Sequence, residues 1–188
     1  MSAPRLNTAD AAACLARGGI IAYPTEGVWG LGCDPEDEVA VLRLLRVKQR
    51  PVEKGLILIA GSAAQLEAIV DWQALDAGRR DALLTSWPGP NTWVVPALPA
   101  VPRWITGTHD SVAVRVSAHA PVVALCEAFG RALVSTSANP AGAPSPHSIA
   151  ELDAGILASI DGVLDGETGG RGQPSTIRDA RSGQILRG

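Results

Sequence analysis

Hydrophobic residues along the chain recur at two different spacings, and the two kinds of segment alternate from one end to the other. Helical spacing predicts helices over residues 7–17, 34–47, 75–87 and 121–129. Short apolar runs bounded by Gly or Pro predict strands at residues 20–23, 55–60, 92–98, 112–116, 132–135, 176–178 and 184–186. This alternation is typical of an α/β domain with a mixed sheet.

The second predicted helix has the clearest start signal. Asp34 supplies a carboxylate for the N-cap, and Pro35 suits the first helical position. On the helical period, this helix is expected to bury Val39, Leu42 and Leu45 against the sheet.

Size and composition limit the class of protein. The chain has 188 residues, 46% of them hydrophobic, which predicts one domain over residues 1–188 with a substantial core. There is no long apolar run and no secretory signal, so we expect a cytoplasmic protein with no membrane partner. Cys14, Cys33 and Cys126 are odd in number and widely spaced, which argues against a disulfide framework. A net charge of −3 argues against a surface that binds nucleic acid over its whole extent.

The positive charges are distributed unevenly by type. Of the 16 basic residues only Lys48 and Lys54 are lysines, and Arg50 lies between them. This cationic run is compatible with a solvated basic face. Its place directly before the strand at 55–60, and its mixture of ammonium and guanidinium groups, favour a polyphosphate ligand.

Two further segments place polar groups where a strand ends. Residues 23–34 pass into a glycine-rich turn whose free N–H groups and Thr25 hydroxyl could face a ligand, although the segment taken alone favours a tight connection. Residues 133–140 pass into small hydroxyl and amide side chains, which either hold a polar ligand or cap the strand exit. Arg115 lies in an otherwise apolar strand, so its charge must be paired or must reach a cleft, where it could grip a carboxylate.

Several common catalytic signatures are absent from the sequence. The chain lacks the Walker phosphate loop, the dinucleotide-binding glycine pattern and the nucleophile elbow. His109, His119 and His147 are scattered and have no clustered Cys partners, so we expect no metal site formed by the protein.

The order and spacing of the three polar segments resemble the YrdC-type threonylcarbamoyl-AMP synthases. The resemblance covers nearly the whole chain, in the short single-domain form. It rests on YPTE and GLGCD within 23–34, KQRP and KGLIL within 48–58, WPGP at 87–90, SVAVRV at 111–116, STSAN at 135–139, GETGG at 166–170 and PSTIRD at 174–179.

This resemblance implies a fold and a reaction. The fold would be a twisted, open, mixed and mostly parallel sheet flanked by helices, with a concave, positively charged face. The reaction would convert L-threonine, bicarbonate and ATP into L-threonylcarbamoyl-adenylate and pyrophosphate, with Mg2+ carried by ATP and no prosthetic group. The product would feed the t6A37 modification of tRNAs that read codons beginning with A. The implied partners are the proteins of the t6A transferase complex, and binding of tRNA or double-stranded RNA is compatible with this role.

The resemblance also assigns site residues. The family's K-x-R and S-x-N signature falls on residues with implied catalytic and nucleotide-binding roles, namely Lys48, Arg50, Ser137 and Asn139. The implied threonine pocket consists of Thr25, Arg115, Ser135 and Ser175. Further implied nucleotide contacts are Lys54, Ser111, Ser145 and Arg187.

The implied reaction needs no protein nucleophile, because positioning and charge stabilisation suffice. A labile carbamate needs a dry pocket, so the loops at 140–147 and 166–175 are candidates for a lid. Two positions depart from the family pattern. Trp29 stands where relatives often have tyrosine, and could still form a wall of the site. Gly27 stands where many have a hydroxyl residue, so any hydroxyl contact there is lost.

Two other functions remain open from the sequence. An RNA-binding or ribosome-maturation module would use the same basic concave face, but it would not require Arg115 on an apolar strand. A carbamoyl-transfer enzyme of the hydrogenase-maturation type contains a YrdC-like part, but those chains are much larger and carry Cys-rich zinc segments. Such segments are missing from this sequence.

Overall fold

A mixed sheet of ten strands runs through residues 3–187, the part of the chain that the computed structural model describes. The strands are β1 (Arg5–Leu6), β2 (Ile21–Pro24), β3 (Trp29–Gly32), β4 (Ile57–Ala60), β5 (Asn91–Pro96), β6 (Ser111–Val116), β7 (Leu133–Ser137), β8 (Gly162–Leu164), β9 (Thr176–Asp179) and β10 (Ile185–Arg187). Their order across the sheet is β1-β8-β2-β3-β7-β4-β6-β5-β9-β10.

The sheet confirms the predicted mixed α/β class, but the expectation of a mostly parallel sheet is wrong. Four of the nine neighbouring strand pairs are parallel and five are antiparallel. Part of the difference comes from β3, which the glycine-rich sequence had suggested was a turn leading into a helix. Residues 29–32 instead pair with β2 as an antiparallel hairpin, because a turn of only four residues cannot return a strand in parallel.

Helices cover both faces of this sheet. They are α1 (Thr8–Ala16), α2 (Glu38–Val47), α3 (Ala77–Thr85), α4 (Arg103–Thr106), α5 (Ala120–Phe129) and α6 (Ala154–Leu157). Buried residues of α1 and α5 form one cluster with Ile21 and Tyr23 of β2. Buried residues of α2 form another with Ala22 of the same strand. Because successive strand residues point to opposite faces, α2 and the α1–α5 pair pack on opposite sides of the sheet.

The start of α2 differs from the sequence prediction. Its N-cap is Asp37, whose carboxylate accepts the N–H of Ala40 at 3.0 Å. Asp34 instead accepts the N–H of Glu36 at 2.9 Å, which stabilises the turn before the helix. The Asp-Pro pair therefore caps a turn, and the next available carboxylate caps the helix.

The buried face of α2 is also different from the predicted one. Val39 is 73% exposed and Leu42 is 36% exposed, whereas Leu45 is buried as expected. The stripe that meets the sheet is Ala40, Val41, Leu44 and Leu45. No helix within residues 3–187 has the length and apolar character that crossing a membrane requires.

Candidate functional site

A cavity of about 600 Å3 lies beside the central strands. Its wall combines the β2–β3 turn, the start of β4, parts of β5, β6 and β7, and the connection from β8 to β9. Ten of the twelve residues that the sequence assigns to a site line it, namely Thr25, Arg50, Lys54, Ser111, Arg115, Ser135, Ser137, Ser145, Ser175 and Arg187. The other two, Lys48 and Asn139, are not among the lining residues.

The turn between β2 and β3, residues 25–28, forms a strap along this cavity. Thr25 is 5% exposed, and both its N–H and its hydroxyl donate to the carbonyl of Val28, at 3.1 and 2.7 Å. Because the hydroxyl proton is committed to that carbonyl, the hydroxyl oxygen is left as an acceptor for a ligand. The glycine-rich segment is thus both a tight hairpin connection and a cavity wall.

The connection from β8 to β9 is docked directly onto the strap. The N–H groups of Gly169 and Arg171 donate to two strap carbonyls, each at 3.0 Å. A Cβ atom at Gly27 would lie 2.1 Å from the backbone oxygen of Gln173. The absence of a side chain at Gly27 is therefore what permits this close backbone approach.

Arg115 is paired with a carboxylate and also reaches the cavity. Its position on an apolar strand required at least one of these two arrangements, and the structure has both. Its Nη2 lies 3.4 Å from Oε2 of Glu26, and Arg115 is only 6% exposed. Oε1 of Glu26 accepts hydrogen bonds from the Ser117 hydroxyl at 2.7 Å and the Ala118 N–H at 3.1 Å. Burial raises the pKa of the Glu26 carboxyl, but Arg115 and these hydrogen bonds lower it by more, so the net shift is downward. The carboxylate therefore stays ionised beside the guanidinium.

Hydroxyl groups from separate strands meet in the cavity wall. Ser135 and Ser137 belong to β7, and Ser175 immediately precedes β9. The Ser175 hydroxyl lies 2.7 Å from that of Thr92 on β5, and its carbonyl accepts a hydrogen bond from Arg187 at 3.0 Å. Burial, together with the nearby charge of Arg115, lowers the pKa of Arg187. Arg187 at the edge strand β10 is thus tied into the same wall.

Lys48 follows the last turn of α2 and is bound to the exit of β7. Its ammonium donates to the Ser137 carbonyl at 2.6 Å, to the Asn139 carbonyl, and to Oδ1 of Asn139 at 3.4 Å. Burial, together with the charge of Arg50, lowers the pKa of Lys48 to about 8. Lys48, Ser137 and Asn139 form one connected group, of which Ser137 lines the cavity. Arg50 also lines it and donates to the Gly55 carbonyl at 2.9 and 3.3 Å.

The described part of the cavity wall carries more cations than carboxylates. The lining cations are Arg50, Lys54, Arg115, Arg171 and Arg187. The lining carboxylates are Glu26 and Asp179, and both are already engaged. Asp179 accepts from the N–H and the hydroxyl of Ser182, at 2.7 and 3.1 Å. This surplus of positive charge suits an anionic ligand with several charges.

The structure adds residues that the sequence analysis did not assign. Glu26 follows Thr25 directly. The one signal for it in the sequence is that the buried Arg115 needs a carboxylate partner. Arg171 was hidden in a glycine-rich segment that was considered only as a lid. Trp29, expected as a possible wall, is 1% exposed and packs in the core instead.

Within residues 3–187 there is no group of three His, Cys, Asp or Glu side chains that could hold a metal ion. Cys14, Cys33 and Cys126 are buried, and burial raises the pKa of each thiol, that of Cys126 to about 12. His119 and His147 each contact a backbone carbonyl of another loop at 3.0 Å. The three cysteines are therefore buried thiols of the core, and the two histidines connect neighbouring loops.

Sequence comparison places the chain among named relatives. A family model for Sua5, YciO and YrdC, described as "Telomere recombination", matches residues 13–188. A threonylcarbamoyl-AMP synthase of Xanthomonas euvesicatoria is 62% identical over 94% of this chain and 95% of its own length. A protein of the same name from Xanthomonas campestris is 59% identical over 98% and 99% of the two chains.

Structure comparison agrees with these matches. Sua5 of P. abyssi, solved in complex with L-threonine, superimposes with a TM-score of 0.86 and 34% identity. The alignment covers 95% of this chain but only 54% of that one. YciO of E. coli has a TM-score of 0.86 at 23% identity, and HypF of T. kodakarensis has 0.78 at 19%. At these last two identities the comparison shows a shared fold only.

Proposed function

Because the chain belongs to the Sua5, YciO and YrdC family, we propose that it is a threonylcarbamoyl-AMP synthase. It would make L-threonylcarbamoyl-adenylate and pyrophosphate from L-threonine, bicarbonate and MgATP. Relatives of that name at 59–62% identity over almost the entire chain support the assignment. The observation that carries it is the cavity, which combines the buried Arg115 with a surplus of cations and strand-end hydroxyls.

Threonine would bind at the strap and β6. The planar guanidinium of Arg115, held by Glu26, presents paired N–H donors that match the two oxygens of a carboxylate. The Thr25 hydroxyl oxygen, free as an acceptor, would orient the amine. Ser135 and Ser175 would complete the pocket from β7 and from the start of β9.

The first bond forms between the threonine nitrogen and the carbon of bicarbonate, and water and a proton leave. The resulting carbamate is labile in water, so a cavity that the β8–β9 connection borders by docking onto the strap favours its survival. The chain supplies positioning at this stage and no covalent partner.

In the second step a carbamate oxygen attacks the α-phosphorus of ATP. The new O–P bond forms as the bond to the bridging oxygen breaks, and that electron pair leaves with pyrophosphate. Arg50 and Lys54 would bind the phosphates as charge shifts to the leaving group. Ser137 would hold α-phosphate oxygens or ribose. Lys48, which also binds Asn139, would hold the Ser137 backbone in place by donating to the Ser137 carbonyl.

The product would pass to proteins of the t6A transferase complex for modification of tRNA, and we place this activity in the cytoplasm. Mg2+ enters as part of the MgATP substrate, and the proposed reaction uses no prosthetic group. Direct binding of tRNA or double-stranded RNA is compatible with the cationic cavity mouth.

Product analysis tests the proposal. The protein is incubated with threonine, MgATP and carbon-13 bicarbonate, and the products are analysed by mass spectrometry. We expect an adenylate that carries the label and forms only when threonine is present, with one pyrophosphate released per adenylate. Consumption of ATP that is independent of threonine would contradict the proposal, and RNA binding without any ATP turnover would favour the RNA-binding alternative.

A further inference from the structure

Two cations in the cavity wall, Lys54 and Arg171, make no side-chain hydrogen bond or ion pair within residues 3–187. Arg115 pairs with Glu26, whereas Arg50 and Arg187 each donate to a backbone carbonyl. Arg171 also lines the cavity, but within residues 3–187 its guanidinium makes no hydrogen bond or ion pair. Arg171 is exposed at the cavity, so water can solvate its guanidinium in the free protein and its paired donors stay open to a ligand.

The backbone of Arg171 is nevertheless held firmly. Its N–H donates to the strap carbonyl of Glu26 at 3.0 Å, directly beside Thr25. Gly170 and Gly172 flank it with φ angles of +73° and +70°, in the left-handed region that favours glycine. A Cβ at either glycine would meet nothing within 4 Å, so these glycines serve the backbone shape rather than close packing. The turn fixes the Cα of Arg171 and leaves its long side chain unhindered.

The charges of the wall indicate what that side chain binds. Within residues 3–187 neither lining carboxylate forms an ion pair with Arg171, because Glu26 pairs with Arg115 and Asp179 accepts from the N–H and the hydroxyl of Ser182. Threonine brings a single carboxylate, which Arg115 can bind. The remaining positive charge therefore matches the triphosphate and not the amino acid. A guanidinium presents planar paired donors, which suit the non-bridging oxygens of a phosphate.

We infer that Arg171 is a further cation for the β- and γ-phosphates of MgATP and for the pyrophosphate that leaves. This inference rests on the proposed function and adds a residue from the β8–β9 connection to Arg50 and Lys54 of the α2–β4 connection. Charge increases on the leaving pyrophosphate as the bond from the α-phosphorus breaks. A second cationic segment, independent of the first, stabilises that charge in the transition state.

Ligand binding by calorimetry tests this role without relying on turnover. The probes are MgATP, magnesium pyrophosphate, AMP and threonine, measured on wild type, Arg171→Ala and Arg171→Lys. We expect Arg171→Ala to weaken MgATP and magnesium pyrophosphate at least tenfold, while AMP and threonine binding change less than twofold. Arg171→Lys keeps the charge but loses the planar fork, and is expected to fall between the two. The kcat for pyrophosphate release should also fall in Arg171→Ala.

Arg17 offers a matched control, because it is exposed and does not line the cavity. Arg17→Ala should bind all four probes as wild type does. Equal weakening of AMP and MgATP by Arg171→Ala would show that the loop has merely lost its shape and would overturn the inference, as would unchanged pyrophosphate binding. A wild type that binds MgATP and pyrophosphate but forms no threonine-dependent adenylate would refute the proposed function instead, and the comparison of probes would still test Arg171.

Discussion

Removal of the Glu26 carboxylate tests whether the buried ion pair holds Arg115 in its strand. In Glu26→Ala, a guanidinium that is 6% exposed loses the carboxylate that lies 3.4 Å away. Breaking one side of a buried pair destabilises a protein by about 3–5 kcal/mol when the remaining charge stays dry. Arg115 lines the cavity, where water can solvate part of it, so we expect a loss of about 2–3 kcal/mol.

A double-mutant cycle with Arg115→Met separates this pair from its surroundings. Free energies of unfolding are measured in urea for wild type, both single variants and the double variant. Because removal of both side chains leaves no unpaired charge, we expect the double variant to be more stable than Glu26→Ala, with a coupling energy of at least about 1.5 kcal/mol.

The pH dependence of unfolding provides a second readout for the same pair. The pKa of Glu26 is lowered in the folded state, so the unfolded chain binds its proton more readily. The stability from Glu26 is therefore fully present above its unfolded pKa and is lost as pH falls through the folded value. Wild type should lose stability more steeply than Glu26→Ala below about pH 4. If Glu26→Ala unfolds within about 0.5 kcal/mol of wild type, and the two substitutions are additive, the ion pair does not hold Arg115.

Four other measurements test the site. Lys48→Ala and Arg50→Ala should each slow threonine-dependent pyrophosphate release at least about tenfold, and wild-type rates in both would remove their role. Arg115→Ala should raise the threonine KM far more than the ATP KM, whereas equal changes would contradict a carboxylate clamp. The folded pKa of Lys48 is about 8, below its unfolded value, so the free energy of unfolding of wild type should rise relative to that of Lys48→Met from pH 8 towards pH 10. Free energies of unfolding, measured in urea, that change equally with pH in the two proteins would contradict the lowered pKa. In Gly27→Ala the new Cβ would fall 2.1 Å from a backbone oxygen, so amide hydrogen exchange at residues 169–171 should accelerate and kcat/KM should fall about tenfold. Gly78→Ala in α3 is the control. Unchanged exchange in Gly27→Ala would show that the connection does not need Gly27.

The extent to which the sequence predicted the fold depends on the kind of pattern. The strands β4 and β6 are mainly apolar, with Arg115 as the exception inside β6, and their positions were predicted within two residues. β3 has the sequence WGLG, whose glycines suggest a turn although every residue in it is buried. The face of α2 was misjudged because its stripe includes Ala40, a small residue that carries little weight in a hydrophobic pattern.

The candidate site could be predicted where a residue type is anomalous for its element. Arg115 on an apolar strand and the serines at the end of β7 were singled out on that basis, although their roles came from the family resemblance, and all of them line the cavity. Glu26 could not be found in this way, since its partner lies on another strand and the pairing depends on sheet order. The contact between Gly27 and the β8–β9 connection is equally invisible in one sequence, because it joins backbones that are distant along the chain.

The two lysines of a chain that otherwise uses arginine occupy different places, because Lys54 lines the cavity and Lys48 does not. Lys48 donates to three oxygens that converge on one nitrogen, two of them backbone carbonyls, and a compact ammonium can satisfy such a cluster. A planar guanidinium directs its donors along fixed lines in one plane, which suits the oxygens of a carboxylate or phosphate better than a converging cluster of carbonyls. The same argument explains why the cavity wall itself is mainly arginine. Lys48 therefore fixes the Ser137 segment within the protein, where the acceptors converge, whereas four of the five lining cations are arginines that can present paired donors to a ligand.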